Sequence, residues 1–383
     1  MPAPPPLELT TIWTVSPSLA ELLRLCPLRA GLSRLENATA LVLGNPKAWL
    51  GTAYHEVLAA AGAHASDASA ADVWEQAVRE QHERAEAHPL NRRFGVPDRW
   101  PGYHLIRAMA LMRAHEIGGD GGAEVANAGM PPVVGDSRPT NRHERWLTAA
   151  GGRLVGRPDL LRGDAVIDYK TGDVIEHRED HVVKATYVRQ LQLYAFLVRD
   201  STGRWPARGV LLPMEGLPVE IEFDAGDCER VAAETLELLD KYNDAVSGGA
   251  GVLDLASPSP ETCRWCPFQL VCPAFWAAAG SSWREHLGTA AVGGLASSVP
   301  EPIHSGSALA LQLRVDEGTE EAGDVAALSP LSPATYPVLR QVQQGTRIRV
   351  VGLARRAGGT LMPTNRTVIA RVDDLPQIVS TAP

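Results

Sequence analysis

The segment AVIDYK, residues 165–170, constrains the fold of this chain most, because an apolar run ends there in two charged residues. A continuous apolar run such as Ala165–Ile167 is typical of a strand that is buried on both faces. Side chains alternate along a strand, so Asp168 and Lys170 are expected on one face. The sequence therefore predicts a central strand that carries a carboxylate and an ammonium group at one end.

The segments around this strand alternate between helical and extended patterns. Helical patterns precede it in LAELLRL, GTAYHEVLAAA and VWEQAVREQHERAEA, and strand patterns begin near Asn141. After it, ATYVRQLQLYAFLVRD and CERVAAETLELLDKYNDAV have apolar residues at helical spacing, with the strand-like segments GVLLP and PVEIEFD between them. This order predicts an α/β domain over residues 1–285, with a mixed central sheet flanked by helices.

The last hundred residues predict a linker and a small all-β domain. Residues 286–306 are rich in Gly, Ser, Ala and Pro without periodicity, a composition typical of a linker. The segments SALALQLRV, GTRIRVVGLAR and RTVIARV are strand-like and are separated by Gly and Pro. We therefore expect a small barrel of the OB type over residues 307–383.

The charge of this last segment is opposite to that of the whole chain. The net charge of −9 argues against a protein that coats nucleic acid by bulk electrostatics. From residue 347 to residue 371, however, there are six arginines and no acidic residue. The predicted nucleic-acid-binding residues are Arg347, Arg349, Arg355, Arg356 and Arg366. The alternative is a barrel that packs on the rest of the chain or binds a protein, with arginines that maintain solubility.

Asp159, in the segment GRPD, is expected to lie beside Asp168 and Lys170 on a neighbouring strand. Two carboxylates bind Mg2+ through oxygen, together with water and phosphate oxygens. Such a cation would polarise a phosphodiester and activate water, while Lys170 would orient or deprotonate that water and stabilise developing negative charge. For Asp-X-Lys alone, the alternative is a hairpin with surface charges, since both residue types are common near turns.

The chain contains the motifs GRPDLL, VIDYKTG and QLQLY in this order. In these motifs and their order it resembles the RecB-like nucleases of the PD-(D/E)XK superfamily. The resemblance covers about residues 11–280. It implies a restriction-endonuclease-like core and a divalent-metal-dependent deoxyribonuclease that uses Mg2+ or Mn2+. It also implies that Asp159, Asp168 and His55, in the segment LGTAYH, are the metal ligands.

The same resemblance places Gln190 and Tyr194 beside the active site, where an amide and a hydroxyl reach a phosphate. The two residues are one helical turn apart and share a face. Without the resemblance, they belong to an ordinary half-buried helix face, and His55 is a structural histidine. Glu144, just before the strands, is expected to support the metal site from outside its ligand set.

Four of the five cysteines form a pattern typical of a metal site. Cys263-X2-Cys266-X5-Cys272 is compact, Cys26 lies far upstream, and Cys228 is left over. An odd number of cysteines without a secretion signal argues against a disulfide framework. Four thiolates satisfy either zinc or an iron-sulfur cluster, and the spacing does not choose between them.

The arrangement of one cysteine near the N-terminus and three after the core resembles that of the RecB-like nucleases that carry a 4Fe-4S cluster. That group includes CRISPR-associated and helicase-linked exonucleases. The resemblance thus implies a structural 4Fe-4S cluster held by Cys26, Cys263, Cys266 and Cys272. Zinc and unligated thiols are the alternatives.

The resemblance implies an exonuclease that acts on single-stranded or end-containing DNA, with a helicase, CRISPR-type or DNA-repair partner. The alternative is a non-catalytic nucleic-acid-binding or scaffold subunit of such a complex, against which the intact set of Asp159, Asp168 and Lys170 argues. The chain lacks a G-x-x-x-x-G-K-[ST] loop, so DNA unwinding would need a partner.

The sequence has no signal-like N-terminus and no apolar stretch of about 18 residues, which predicts a cytoplasmic protein without membrane contact.

Overall fold

The computed structural model describes residues 4–63, 69–118, 142–143, 146–177, 182–356 and 358–380. The chain divides into two compact units, each formed by segments that are distant in sequence. The barrel unit comprises Met1–Ile12, Leu22–Leu43 and Lys241–Pro383, and the mixed-sheet unit comprises Trp13–Glu21 and Gly44–Asp240.

The helices lie mainly before and after the strands of the mixed-sheet unit. In chain order they are α1 (Pro17–Leu25), α2 (Pro27–Leu32), α3 (Glu36–Thr39), α4 (Pro46–Ala63), α5 (Ala70–Ala87), α6 (Tyr103–Gly118), α7 (Ala185–Thr202), α8 (Ala225–Ser247), α9 (Pro260–Cys263), α10 (Pro273–Ala278) and α11 (Arg284–Leu287). Helices α4 to α7 belong to the mixed-sheet unit. Of the described helices, none is long and apolar enough to span a membrane.

The strands form one mixed sheet, one barrel and three small pairs among the described residues. In chain order they are β1 (Leu7–Leu9), β2 (Arg142–His143), β3 (Leu147–Ala149), β4 (Leu154–Gly156), β5 (Leu160–Arg162), β6 (Ala165–Lys170), β7 (Ile175–His177), β8 (Val182–Val183), β9 (Arg208–Pro213), β10 (Val219–Glu222), β11 (Ala290–Ala296), β12 (Glu301–Ile303), β13 (Ala308–Gly318), β14 (Val325–Leu331), β15 (Arg347–Arg355), β16 (Leu361–Arg371) and β17 (Ile378–Ser380).

Strand β6 is the central strand of a five-stranded sheet with the order β10-β9-β6-β5-β2. It pairs in parallel with β9 and antiparallel with β5. Tyr54 of α4, Trp74 of α5 and Ile106 of α6 are buried in one cluster with Ile167 of β6. The helices therefore cover the apolar part of β6, and the predicted α/β architecture with a mixed central sheet is confirmed.

The barrel unit contains a closed barrel of five strands. Neighbouring strands pair in the order β11-β13-β14-β16-β15, and β15 pairs with β11 to close the ring, while β12 is attached to β13. Strands β14 and β16 are parallel, and the other pairs are antiparallel. The interior is apolar, with Val292, Leu313, Leu328, Val350 and Leu353 fully buried.

The prediction of a linker over residues 286–306 is wrong, because β11 lies within this segment and is buried along its length. Its glycines serve close packing rather than flexibility. A Cβ atom on Gly294 would lie 2.0 Å from the carbonyl oxygen of Arg314, at a point where the register between β11 and β13 shifts. The all-β segment therefore begins near residue 290 instead of residue 307.

The compact units also divide the chain differently from the predicted domains, 1–285 and 307–383. Residues Leu22–Leu43 and Lys241–Pro383 group together in the barrel unit. Cys26 and the three later cysteines are thus in the same unit, although more than two hundred residues separate them in sequence.

Candidate active site

Strand β6 places Asp168 and Lys170 on one face at its carboxyl end, as the alternation of side chains predicts. Asp168 is 2% exposed, and its Oδ2 forms an ion pair with the ammonium group of Lys170. The same oxygen accepts no well-directed hydrogen bond. The central strand therefore holds a buried carboxylate whose charge is partly neutralised by Lys170.

Asp159 lies between β4 and β5, and its carboxylate contacts both strand β6 and helix α4. Its Oδ2 accepts a hydrogen bond of 2.7 Å from the backbone N–H of Tyr169, which fixes the carboxylate beside β6. Its Oδ1 lies 3.2 Å from Nδ1 of His55, on α4. The structure thus brings His55 and Asp159 into direct contact, next to the Asp168–Lys170 pair.

Two glycines allow helices to approach these strands closely. A Cβ atom on Gly51, one turn before His55 on α4, would lie 3.3 Å from Oγ1 of Thr171. A Cβ atom on Gly156, at the end of β4, would lie 2.6 Å from Cδ1 of Leu197 on α7. A Cβ atom at either position would crowd these side chains, so glycine lets α4 and α7 pack close to the strands without displacing Thr171 or Leu197.

Helix α7 contributes Gln190 and Tyr194 from one face. The side-chain oxygen of Gln190 accepts a hydrogen bond of 2.9 Å from Lys170, and its Nε2 donates to Oδ1 of Asp168 over 3.3 Å. Nε2 also lies 3.4 Å from the hydroxyl of Tyr194. Gln190 therefore bridges the carboxylate and the ammonium group, and the predicted helix face is part of the site.

The sequence reasoning missed Tyr187, which lies one turn before Gln190 on the same helix. The ammonium nitrogen of Lys170 is 4.6 Å from the centroid of the Tyr187 ring, a distance typical of a cation–π contact. The helical spacing of Tyr187, Gln190 and Tyr194 places all three on one face, so this spacing was the signal available.

The electrostatic environment changes the pKa values of Asp168 and His55. Burial raises the pKa of Asp168 to about 6, although the nearby charge of Lys170 lowers it. Burial lowers the pKa of His55, but the hydrogen bond and charge of Asp159 outweigh this effect, so the net pKa is raised. Groups with perturbed pKa values that cluster in this way are typical of functional sites.

The four predicted ligand cysteines, Cys26, Cys263, Cys266 and Cys272, line one small apolar cavity of about 20 Å3 in the barrel unit. Burial raises the pKa of Cys263 to about 11 and that of Cys266 to about 12. Across the described residues, no three or more His, Cys, Asp or Glu side chains form a group that could hold a metal ion.

The fifth cysteine, Cys228, belongs to the mixed-sheet unit and does not line this cavity. It is fully buried on α8, and burial raises its pKa to about 12. Glu144 lies outside the described residues.

The predicted arginine surface of the barrel is largely neutralised by acidic partners. Arg347 pairs with Asp316 at 3.0 Å, and Arg349 pairs with Glu317 at 2.7 Å. Arg355 pairs with Glu320. These pairs could not be predicted from the sequence, because the carboxylates come from β13 and the turn that follows it.

The comparison with known families agrees with this geometry. A model of the PD-(D/E)XK nuclease superfamily matches residues 14–273, which is more than half of the chain. No curated protein matches the chain significantly. The matched range contains His55, Asp159, Asp168, Lys170 and Gln190. The chain therefore belongs to the PD-(D/E)XK nuclease superfamily, a family of metal-dependent enzymes that hydrolyse nucleic acids.

Proposed function

We propose that this chain is a RecB-like deoxyribonuclease that hydrolyses single-stranded or end-containing DNA as an exonuclease. The observation that carries the proposal is the buried Asp168–Lys170 pair, which contacts Gln190 and lies beside Asp159 and His55. A scaffold subunit has no need for a buried carboxylate paired with a lysine, whereas a metal-dependent nuclease uses carboxylates to bind its cation.

The site suits a hard divalent cation such as Mg2+ or Mn2+. Oδ2 of Asp168 is buried and pairs with the ammonium group of Lys170 without accepting a well-directed hydrogen bond, so this oxygen would be available to bind a cation. Mg2+ needs only one or two protein carboxylates, which Asp159 and Asp168 would provide. His55 would add a nitrogen ligand that suits Mn2+. When bound, the cation would polarise the phosphodiester and activate water.

The remaining side chains orient Lys170. Asp168, Gln190 and Tyr187 hold its ammonium group from three directions, through an ion pair, a hydrogen bond and a cation–π contact. Lys170 would stabilise the negative charge that develops on the phosphate oxygens, and it would orient or deprotonate the attacking water. Gln190 and Tyr194 would contact the phosphate with an amide and a hydroxyl.

Lys170→Ala should abolish cleavage while leaving metal binding intact, because its ammonium group acts on the transition state. We expect a loss of at least about a hundredfold in the cleavage rate of labelled single-stranded DNA. Asp168→Asn should lose both cleavage and the metal-induced rise in melting temperature. The control is Asp164→Asn, an exposed carboxylate just before the same strand. Cleavage by Lys170→Ala at the wild-type rate would contradict this mechanism.

Metal binding should strengthen as the pH rises from about 5 to about 8, because a bound metal must displace ligand protons. The raised pKa keeps Asp168 largely neutral below about pH 6, and a protonated carboxyl group does not bind a cation. The raised pKa of His55 acts in the same direction. The measurement is the rise in melting temperature on addition of Mn2+ across this range. An equal rise at both ends of the range would show that Asp168 is not a ligand.

The exonuclease proposal is tested with two forms of one DNA molecule. Linear and circular single-stranded DNA of the same sequence are incubated with the protein and Mg2+ or Mn2+. We expect the linear form to be degraded to small products and the circular form to persist. Cleavage of the circular form would identify an endonuclease, which would contradict the exonuclease proposal but not the proposed catalytic residues.

We further propose that Cys26, Cys263, Cys266 and Cys272 hold a 4Fe-4S cluster with a structural role. The support is that all four line one cavity, although Cys26 is more than two hundred residues from the other three in sequence. Thiolates are the ligands for such a cluster, so the protons that burial keeps on Cys263 and Cys266 would be released on assembly. Zinc would use the same ligands.

Anaerobically purified protein should be brown, with broad absorbance near 400 nm and about four irons per chain. Replacing any one of the four cysteines with serine should remove iron and lower the melting temperature. Cys228→Ser should retain both, because Cys228 lies outside the cavity. A colourless protein with one equivalent of zinc would refute the cluster.

The closed barrel supports a further part of the proposal, that it is of the OB type and contacts DNA. Its five strands pair as β11-β13-β14-β16-β15, with one parallel pair. Since Arg347, Arg349 and Arg355 are paired with carboxylates, the proposed DNA contacts are reduced to Arg356 and Arg366. A helicase, CRISPR-type or DNA-repair partner and a cytoplasmic location stay predictions.

A further inference from the structure

Within the barrel unit, Trp265 lies between Cys263 and Cys266 and is 60% exposed. Two guanidinium groups lie against its indole ring. The guanidinium carbon of Arg366, from β16, is 4.4 Å from the ring centroid, and that of Arg264 is 5.2 Å away. An exposed tryptophan with two adjacent arginines combines a stacking surface with local positive charge.

No carboxylate of the described residues neutralises the charge of this cluster. Neither Arg264 nor Arg366 forms an ion pair with a carboxylate in the part of the chain that the structure describes, in contrast to Arg347, Arg349 and Arg355. Burial and the charge of Arg264 lower the pKa of Arg366. Two like charges held near one ring repel each other, and a bound anion would relieve that repulsion.

Backbone contacts and a glycine hold the cluster in place. Nη2 of Arg366 donates to the carbonyl oxygen of Arg264 over 3.4 Å, and Nη2 of Arg29 donates to that of Trp265 over 3.2 Å. Gly288 has a φ of 73°, and a Cβ atom there would lie 3.2 Å from Nε of Arg264. Contacts from α2, β16 and the turn after α11 therefore position this cluster.

We propose that Arg264, Trp265 and Arg366 form a binding site for single-stranded DNA, with the ring stacking on an unpaired base and the guanidinium groups contacting the adjacent phosphates. The class of ligand rests on the proposed function. Arginine binds phosphate oxygens in a fork geometry and also stacks on aromatic rings. An unpaired base can stack on the ring, whereas the bases of a duplex are stacked on one another. A single strand therefore fits this site better than a duplex.

The test is a binding measurement with the full chain in EDTA, which prevents cleavage. Fluorescein-labelled oligothymidylate is titrated with protein over a series of salt concentrations. Trp265→Ala should weaken binding about tenfold at every salt concentration, since one stacked base is lost. Trp265→Phe should retain most of the affinity. Arg366→Ala should weaken binding and reduce the slope of log K against log salt by about one.

Two matched variants show that the effect belongs to this cluster. Arg314→Ala removes an exposed arginine of β13 in the same barrel, and Trp13→Ala removes an exposed tryptophan of the mixed-sheet unit. Both should bind like the wild type. Unchanged affinity and salt slope in Trp265→Ala and Arg366→Ala would overturn the proposal, as would losses of equal size in the two matched variants.

The outcome is separable from that of the proposed nuclease activity. Normal cleavage at saturating protein, together with unchanged binding in Trp265→Ala, would overturn this site and leave the nuclease proposal standing. Weakened binding in Trp265→Ala without metal-dependent cleavage by the wild type would support the site and contradict the nuclease. An acidic protein partner that binds the cluster, with oligothymidylate unaffected by the substitutions, would also overturn the site.

Discussion

The burial of Asp168 beside Lys170 is the interaction on which the arrangement of the mixed-sheet unit depends. A carboxylate that is 2% exposed has lost most of its hydration, and the free-energy cost of that loss can exceed the gain from one ion pair. The surrounding elements therefore supply further contacts. Helix α7 provides Gln190 and Tyr187, while α4 and the β4–β5 connection place His55 and Asp159 beside the pair. The elements that pack around β6 thus also assemble the site.

The sequence predicted the parts of this site that depend on short-range geometry. Alternation along a strand placed Asp168 and Lys170 on one face, and helical spacing grouped Gln190 with Tyr194. The proximity of His55 to Asp159 could be predicted only from the family resemblance, because contacts between residues so far apart in sequence leave no local pattern. Tyr187 was missed since an aromatic residue at helical spacing is usually part of a core.

In the barrel unit, composition was a poor guide to structure. Residues 286–306 have the glycine and alanine content of a linker, but small residues in β11 permit its close contact with β13. The arginine-rich segment is similarly misleading. Arg349 pairs with Glu317, which precedes it by 32 residues, so a count of charges over a short window overstates the positive surface. Arg366, which has no carboxylate partner among the described residues, lies beside Trp265 instead.

The central claim is that Asp159 and Asp168 hold a catalytic divalent cation beside Lys170. The most direct measurement is anomalous X-ray scattering from a crystal of the full chain soaked in Mn2+. The account predicts a manganese peak within coordination distance, about 2.0–2.3 Å, of carboxylate oxygens from both aspartates, and no such peak in Asp168→Asn. A peak bound only by other residues, or an identical peak in Asp168→Asn, would contradict it.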